Sequence, residues 1–89
     1  MIRIYTRSFC NFCTAAKQLL EEQGYDYKEI SLEANPDLSE QVFAKSGQRT
    51  VPQVFVGERS IGGFSELYSS IASEEFPTLI AGHGGSVSD

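Results

Sequence analysis

The sequence predicts a small α/β fold of order β-α-β-α-β-β-α, a four-stranded mixed sheet flanked by three or more helices. Three observations carry this expectation. Apolar residues alternate over the first five positions and then recur at helical spacing from Phe12 to Leu20, the change of period that joins a strand to a helix. A strand-like run over residues 26–30 follows, closing a β-α-β unit whose two strands are parallel. Late in the chain two short apolar runs meet at Gly57-Glu58, the pattern of an antiparallel hairpin.

Taken in order, Met1-Ile2-Arg3-Ile4-Tyr5 is β-branched and alternating, hence a strand. The first helix is expected from about Asn11 to Gln23, with Phe12, Ala15, Ala16, Leu19 and Leu20 on one face and Gly24 as the left-handed residue that ends it. The second strand is placed at Asp26–Ile30. Asn35-Pro36-Asp37 then combines a capping residue, a proline at the first helical position and an acid in the first turn, which starts a helix. That helix turns Leu38, Val42 and Phe43 inward and stops at Gly47, and residues 47–50 lead as a loop into Val51-Pro52. Gln53–Val56 and Arg59–Ile61 are the hairpin strands, with Pro52 tolerated at the start of the first. After Gly62-Gly63, the spacing of Phe64, Leu67, Tyr68, Ile71 and Ala72 makes a third amphipathic helix. From Phe76 the periodicity fades, so residues 1–81 are expected to form the domain and residues 82–89 a flexible tail.

With 89 residues the chain holds one domain. Seven Lys and Arg against twelve Asp and Glu give a net charge of −5, and the basic residues are dispersed, which argues against nucleic acid as a partner. The longest apolar runs are too short to span a bilayer, so no membrane role is expected. The start of the chain reads as strand rather than as a basic region followed by a long apolar stretch, so no secretory signal is expected either. A cytoplasmic setting follows as the expectation, and there a pair of close cysteines is more often catalytic than structural.

Both cysteines lie in Cys10-Asn11-Phe12-Cys13, at the junction of the first strand and the first helix. Unpaired backbone N–H groups and the positive end of the helix dipole favour a thiolate there, and Arg7 adds a cation three residues upstream. Thiol–disulfide chemistry is therefore the leading reading. Two others stand beside it. A disulfide staple would close only a two-residue loop, and stabilisation grows with loop length. A metal half-site would need further ligands, and the one histidine, His83, lies in the Gly-rich tail.

Over residues 1–73 the chain resembles the glutaredoxins of the thioredoxin superfamily. Cys10-Asn11-Phe12-Cys13 with Ala16-Lys17-Gln18-Leu19-Leu20 resembles their active-site helix, Thr50-Val51-Pro52 before Gln53-Val54-Phe55-Val56 their proline loop and strand, and Gly62-Gly63-Phe64-Ser65-Glu66-Leu67 their diglycine turn into the last helix. The resemblance implies a thioredoxin-like fold and a glutathione-dependent disulfide reductase in which Cys10 attacks and Cys13 resolves, with no bound cofactor and glutathione as co-substrate. It implies that the proline matching Pro52 is cis and that Thr50, Val51 and Pro52 offer a short strand edge to the tripeptide. Gly63 and the N–H groups of Phe64 and Ser65 would hold the γ-glutamyl carboxylate, with Ser65 also capping the helix. Arg7 and Arg49 would face the glycyl carboxylate, and Phe12 would keep an aromatic ring beside the site. Glutathionylated or disulfide-bonded proteins would be the partners of a monomer.

The chain departs from the common Cys-Pro-Tyr-Cys pattern at Asn11 and Phe12, which removes the residue that fixes φ and the tyrosine hydroxyl, so the redox poise is expected to differ. Phe64 and Ser65-Glu66 stand where many relatives carry another residue and an Asp-Asp pair. Two alternative functions accompany this reading. One is a [2Fe–2S] carrier in which two chains each supply Cys10 and two glutathione molecules the remaining thiolates. The other is a redoxin reduced by a thioredoxin reductase, against which the proline loop and diglycine turn argue.

Overall fold

The computed structural model describes the backbone over residues 2–88 and side chains over residues 2–81. The elements are β1 (Ile2–Thr6), α1 (Asn11–Glu22), β2 (Lys28–Ser31), α2 (Pro36–Ser46), β3 (Gln53–Val56), β4 (Arg59–Gly62), α3 (Phe64–Ala72) and α4 (Glu75–Ser88). The sheet order is β2-β1-β3-β4. β1 and β2 are parallel, with Arg3 opposite Lys28 and Thr6 opposite Ser31, whereas β3 runs antiparallel to both β1 and β4. The mixed sheet and its flanking helices agree with the expected fold.

Alternation along the strands divides the interior into two cores. Ile2 and Ile4 of β1 and Val54 and Val56 of β3 face one side, where they meet Ala16 and Leu20 of α1, Leu67 of α3 and Phe76 of α4. Phe55 faces the other side, against Leu32 and against Val42 and Phe43 of α2, with Tyr5 and Leu38 at the margin. Tyr5 meets Phe55 edge to face, ring centroids 5.6 Å apart, an arrangement the ring quadrupoles favour. Successive strand residues point to opposite faces, so one short strand serves both cores.

One cap and two boundaries differ from expectation. α2 begins at Pro36 after Asn35 as foreseen and ends on Gly47 at φ +76, but Asn35 makes no side-chain capping bond. β2 starts two residues later than Asp26, because Tyr25 is turned into the first core, where its ring meets Phe76 edge to face at 5.0 Å. The fading periodicity after Phe76 conceals a fourth helix: Phe76 is fully buried, and Pro77 lies in the first turn of α4, where a proline removes no helical hydrogen bond. The tail expected over residues 82–89 lies outside the residues with described side chains.

A bulge in the β3–β4 ladder positions the last piece of the site. Phe55 pairs with Ser60 but Val54 with Gly62, which leaves Ile61 as the extra residue and brings the diglycine turn back beside the start of β3.

Candidate active site

Cys10 is the N-cap of α1, with extended backbone at φ −115° and ψ 106°. Its Sγ accepts the N–H of Cys13 at 3.1 Å, as a capping oxygen would. Its carbonyl accepts the Thr14 N–H at 3.2 Å, the first bond of the helix. The side chain is half-buried and free. Cys13, one turn further in, is also free but buried, and burial together with its contact to Cys10 pushes its thiol up to about 12. Identical side chains three residues apart thus differ in access, and burial holds the proton on Cys13.

Beyond Cys13, the Lys17 ammonium lies 3.2 Å from Glu29, whose carboxylate also accepts the Thr6 hydroxyl at 2.8 Å. The Thr6 hydrogen bond and then Lys17 hold Glu29 below its ordinary carboxylate range. These three residues line a cavity of about 340 Å³ together with Arg7, Cys10 and Cys13. Arg7 is exposed at its mouth, and among the described residues it forms no ion pair.

The proline loop closes the opposite side of Cys10. The Val51–Pro52 peptide is cis. The Cys10 thiol points at the Val51 carbonyl, Sγ to oxygen 3.9 Å, across 41 residues of sequence. Gln53 steadies the loop from below: its side chain is buried and its Nε2 donates to the Gln48 carbonyl at 2.7 Å. Thr50 is exposed. Arg49 lies away on the α2 side, where it pairs with Glu40 at 3.2 Å and stands over the Phe43 ring at 5.3 Å.

Gly62, at φ +119°, turns β4 into α3, and a Cβ built on it would lie 2.8 Å from the Glu66 side chain. A Cβ on Gly63 would lie 3.4 Å from the Pro52 carbonyl, so diglycine turn and proline loop adjoin. The N-cap of α3 is Gly63, which corrects the expectation that Ser65 caps it: Ser65 sits inside the first turn, where its side chain cannot precede the helix. Glu66 instead reaches back, its Oε1 accepting the Gly63 N–H at 2.8 Å. The first N–H bonded to the preceding chain is that of Leu67, to the Gly63 carbonyl at 3.0 Å, so the N–H groups of Phe64 and Ser65 lack helical partners. The Phe64 ring stands 6.0 Å from that of Phe12.

The proline loop meets Cys10 directly and the diglycine turn adjoins that loop, while Arg49 stands apart from them. Sequence reasoning did not single out Phe9 or Gln53. Phe9 is fully exposed with φ +57°, and Gln53 is a buried amide at a strand start. Alternation along β3 was a signal that Gln53 faces inward with Phe55. A separate surface groove of about 780 Å³ lies between β4, α3 and α4 and reaches the site only through Ser65 and Glu66.

The sequence model of the Glutaredoxin family matches residues 2–61. The chain belongs to the glutaredoxin family. A glutaredoxin from Pseudomonas aeruginosa is 41% identical over 78 residues, which cover 88% of this chain and 93% of that one. The solution structure of glutaredoxin from Brucella melitensis superposes with a TM-score of 0.75 at 36% identity, covering 88% of this chain and 85% of that one. The buckwheat glutaredoxin–glutathione complex shares the fold, with a TM-score of 0.81 at 24% identity over 90% of this chain and 76% of that one. Membership carries the family's general chemistry, thiol–disulfide oxidoreduction.

Among the described residues no three His, Cys, Asp or Glu side chains converge on a point where a metal ion could sit. With two cysteines, of which Cys13 is buried, one chain by itself does not furnish the four thiolates of a [2Fe–2S] cluster. No helix among the described residues is long and apolar enough to cross a membrane.

Proposed function

We propose that the chain is a glutathione-dependent dithiol oxidoreductase that reduces protein–glutathione mixed disulfides and protein disulfides. The observation that carries this reading is the position of the Cys10 sulfur, which caps α1, accepts the Cys13 N–H at 3.1 Å and faces the Val51 carbonyl at 3.9 Å. A sulfur so placed is reachable from solvent, receives a fixed N–H dipole, and lies beside a strip of backbone on which a peptide can lie.

In the first step Cys10, as thiolate, attacks the glutathione sulfur of a mixed disulfide. A bond forms between Cys10 and glutathione, and the substrate leaves as thiolate, to be protonated by water. A second glutathione attacks the Cys10-bound glutathione, releasing glutathione disulfide and restoring Cys10. With a protein disulfide, Cys10 binds one substrate sulfur and frees the other. Cys13 then loses its proton to solvent and displaces the substrate, which leaves as thiolate and is protonated in turn, forming the Cys10–Cys13 disulfide, which two glutathione molecules reduce. The high proton affinity of Cys13 suits a resolving role, since it stays a thiol until its neighbour presents a bonded sulfur.

The tripeptide's placement follows from the groups left unpaired around that sulfur. Its backbone lies along Thr50-Val51-Pro52. Its γ-glutamyl carboxylate meets the N–H groups of Phe64 and Ser65 beside Gly63, with the Glu66 carboxylate near enough to attract the adjacent ammonium. Arg7 supplies a cation for the glycyl carboxylate, and Phe12 covers the sulfur. Arg49 assists only if its pairing with Glu40 exchanges for the ligand. The working form is a monomer.

A coupled assay with a glutathione mixed disulfide, glutathione, glutathione reductase and NADPH tests the reading. Cys10→Ser is expected to abolish turnover. Cys13→Ser is expected to retain deglutathionylation and lose most reduction of protein disulfides. Turnover by Cys10→Ser would remove Cys10 as the nucleophile.

A further inference from the structure

Resolution of a protein disulfide requires Cys13, the buried member of the pair, to lose its proton and attack. Burial is the largest obstacle, and the remainder comes from Cys10 beside it. The Cys10 part weakens once that residue is bonded to a substrate sulfur, because a disulfide sulfur carries no charge. Burial then stands against two groups that favour a Cys13 thiolate, the Arg7 backbone N–H and the Lys17 ammonium. Lys17 lies one helical turn beyond Cys13 on the same face of α1, and its ammonium is 3.2 Å from both oxygens of Glu29 on β2. Thr6, buried at the end of β1, donates to the same carboxylate at 2.8 Å. Cys13, Lys17, Glu29 and Thr6 line one cavity of about 340 Å³ with Arg7 and Cys10. An ion pair with both ends reached by solvent contributes little stability, but this one keeps an ammonium in the cavity that the resolving thiol shares. Glu29 is a poor home for the thiol proton, since the Thr6 hydroxyl and then Lys17 hold it below the ordinary carboxylate range. The pair therefore acts by charge and not by proton transfer.

We propose that Lys17 is a positioning residue for the resolving step, its ammonium held by Glu29 where it favours the thiolate that Cys13 must become. The proposal rests on Cys10 as the nucleophile and Cys13 as the resolving thiol. In that step the Cys13 proton passes to solvent through the cavity, the thiolate attacks the Cys10 sulfur, the Cys10–Cys13 bond forms, and the substrate leaves with the electron pair of the broken bond. Lys17 makes and breaks no bond; its charge stabilises the anion while it lasts. Arg7 is the other cation at the cavity, but it is exposed at the mouth, whereas Lys17 is half-buried. Glu29 is the one carboxylate in the lining, and a like charge disfavours a thiolate. The two ends of the ion pair thus have opposite effects on the same step.

One rapid-mixing experiment separates the two chemical steps without glutathione. Reduced protein, at several concentrations, meets less than one equivalent of dithiobis(nitrobenzoate). Cys10 thiolate bonds to one half of the reagent and a coloured thionitrobenzoate leaves; Cys13 then displaces the other half, in a second phase whose rate does not depend on protein concentration. Each second-phase rate is read against the first-phase rate of the same sample. Lys17→Met is expected to slow the second phase about two- to fivefold at pH 7, since the thiolate fraction falls about tenfold for each pH unit of displacement and nucleophilicity recovers part of that. The rise of that phase with pH is expected to move upward by about half to one pH unit. Lys17→Arg, still a cation, is expected to stay within about twofold of the parent. Glu29→Gln keeps an oxygen for the ammonium and removes the opposing charge, so it is expected to quicken the second phase. A Lys17→Met protein with the parent's second-phase rate and pH profile, or Lys17→Met and Glu29→Gln slowing that phase alike, would overturn the role of the ammonium and leave the dithiol standing. Absence of a first phase in the parent would remove Cys10 as nucleophile, and a first phase with no second would remove Cys13 as resolving thiol, each taking the proposal with it.

Discussion

Cys10 and Cys13 are the same residue in opposite circumstances. Cys10 ends on the rim of the molecule with a backbone N–H aimed at its sulfur, whereas Cys13 is packed beneath it, where a thiolate would lose its water. The consequence can be measured. Burial lifts Cys13 from an ordinary 9.0 to about 12, so between those values the unfolded chain releases a proton that the folded chain retains. Its contribution to stability is therefore complete below pH 9 and is lost as pH rises toward 12. In a reduced Cys10→Ser variant, alkylation of Cys13 by iodoacetamide should still be climbing well above pH 9, and urea stability should fall over the same range more steeply than in Cys10→Ser/Cys13→Ala. A plateau near pH 9 would contradict the burial effect. The sequence displayed the pair and its spacing. The difference in burial depends on which face of α1 meets the sheet, and the apolar spacing of Ala16 and Leu20 gave that only in outline.

At the level of elements, the ends of α1 and α3 do the positioning. The head of α1 is capped by a sulfur instead of an oxygen, and the head of α3 by the Glu66 carboxylate reaching back to Gly63. The tight turn between β4 and α3 depends on Gly62, whose φ of +119° and 2.8 Å approach to Glu66 leave no place for a side chain. Gly62→Ala is expected to cost more than about 1 kcal/mol of folding stability. Gly63→Ala, at φ −92° with its nearest contacts at 3.4 Å, should cost less than about 1 kcal/mol. Urea denaturation of the two variants checks the order, and equal losses would show that the turn relaxes around a methyl group. The Gly-Gly pair was plain in the sequence. That its second residue is the cap, and not Ser65, followed from where β4 ends after the bulge.

For the whole molecule, two thin cores on either side of four short strands leave few redundant contacts. Phe76 fills the first core from α4 and meets Tyr25 at 5.0 Å, joining the last helix to the segment after α1. Phe76→Ala is expected to lower the stability by about 3–5 kcal/mol, a large share of the total for a domain of this size. Calorimetry should show a melting temperature lowered by well over 5 °C, at about 4–8 °C per kcal/mol. A loss below about 1 kcal/mol would mean that α4 is not part of the cooperative unit.

Local signals in the chain determined the strand and helix order, the stops at Gly24 and Gly47, the start at Pro36 and the dithiol at a strand–helix junction. Each follows from neighbours within a turn or two, where backbone geometry and periodicity act directly. Tertiary packing alone decided that the Val51 carbonyl faces Cys10, that Gly63 abuts Pro52, that Arg49 turns to Glu40 and that Phe76 anchors a fourth helix. Those contacts join residues far apart in sequence. They exist because two cores must be filled at once, a condition that no short window of residues expresses.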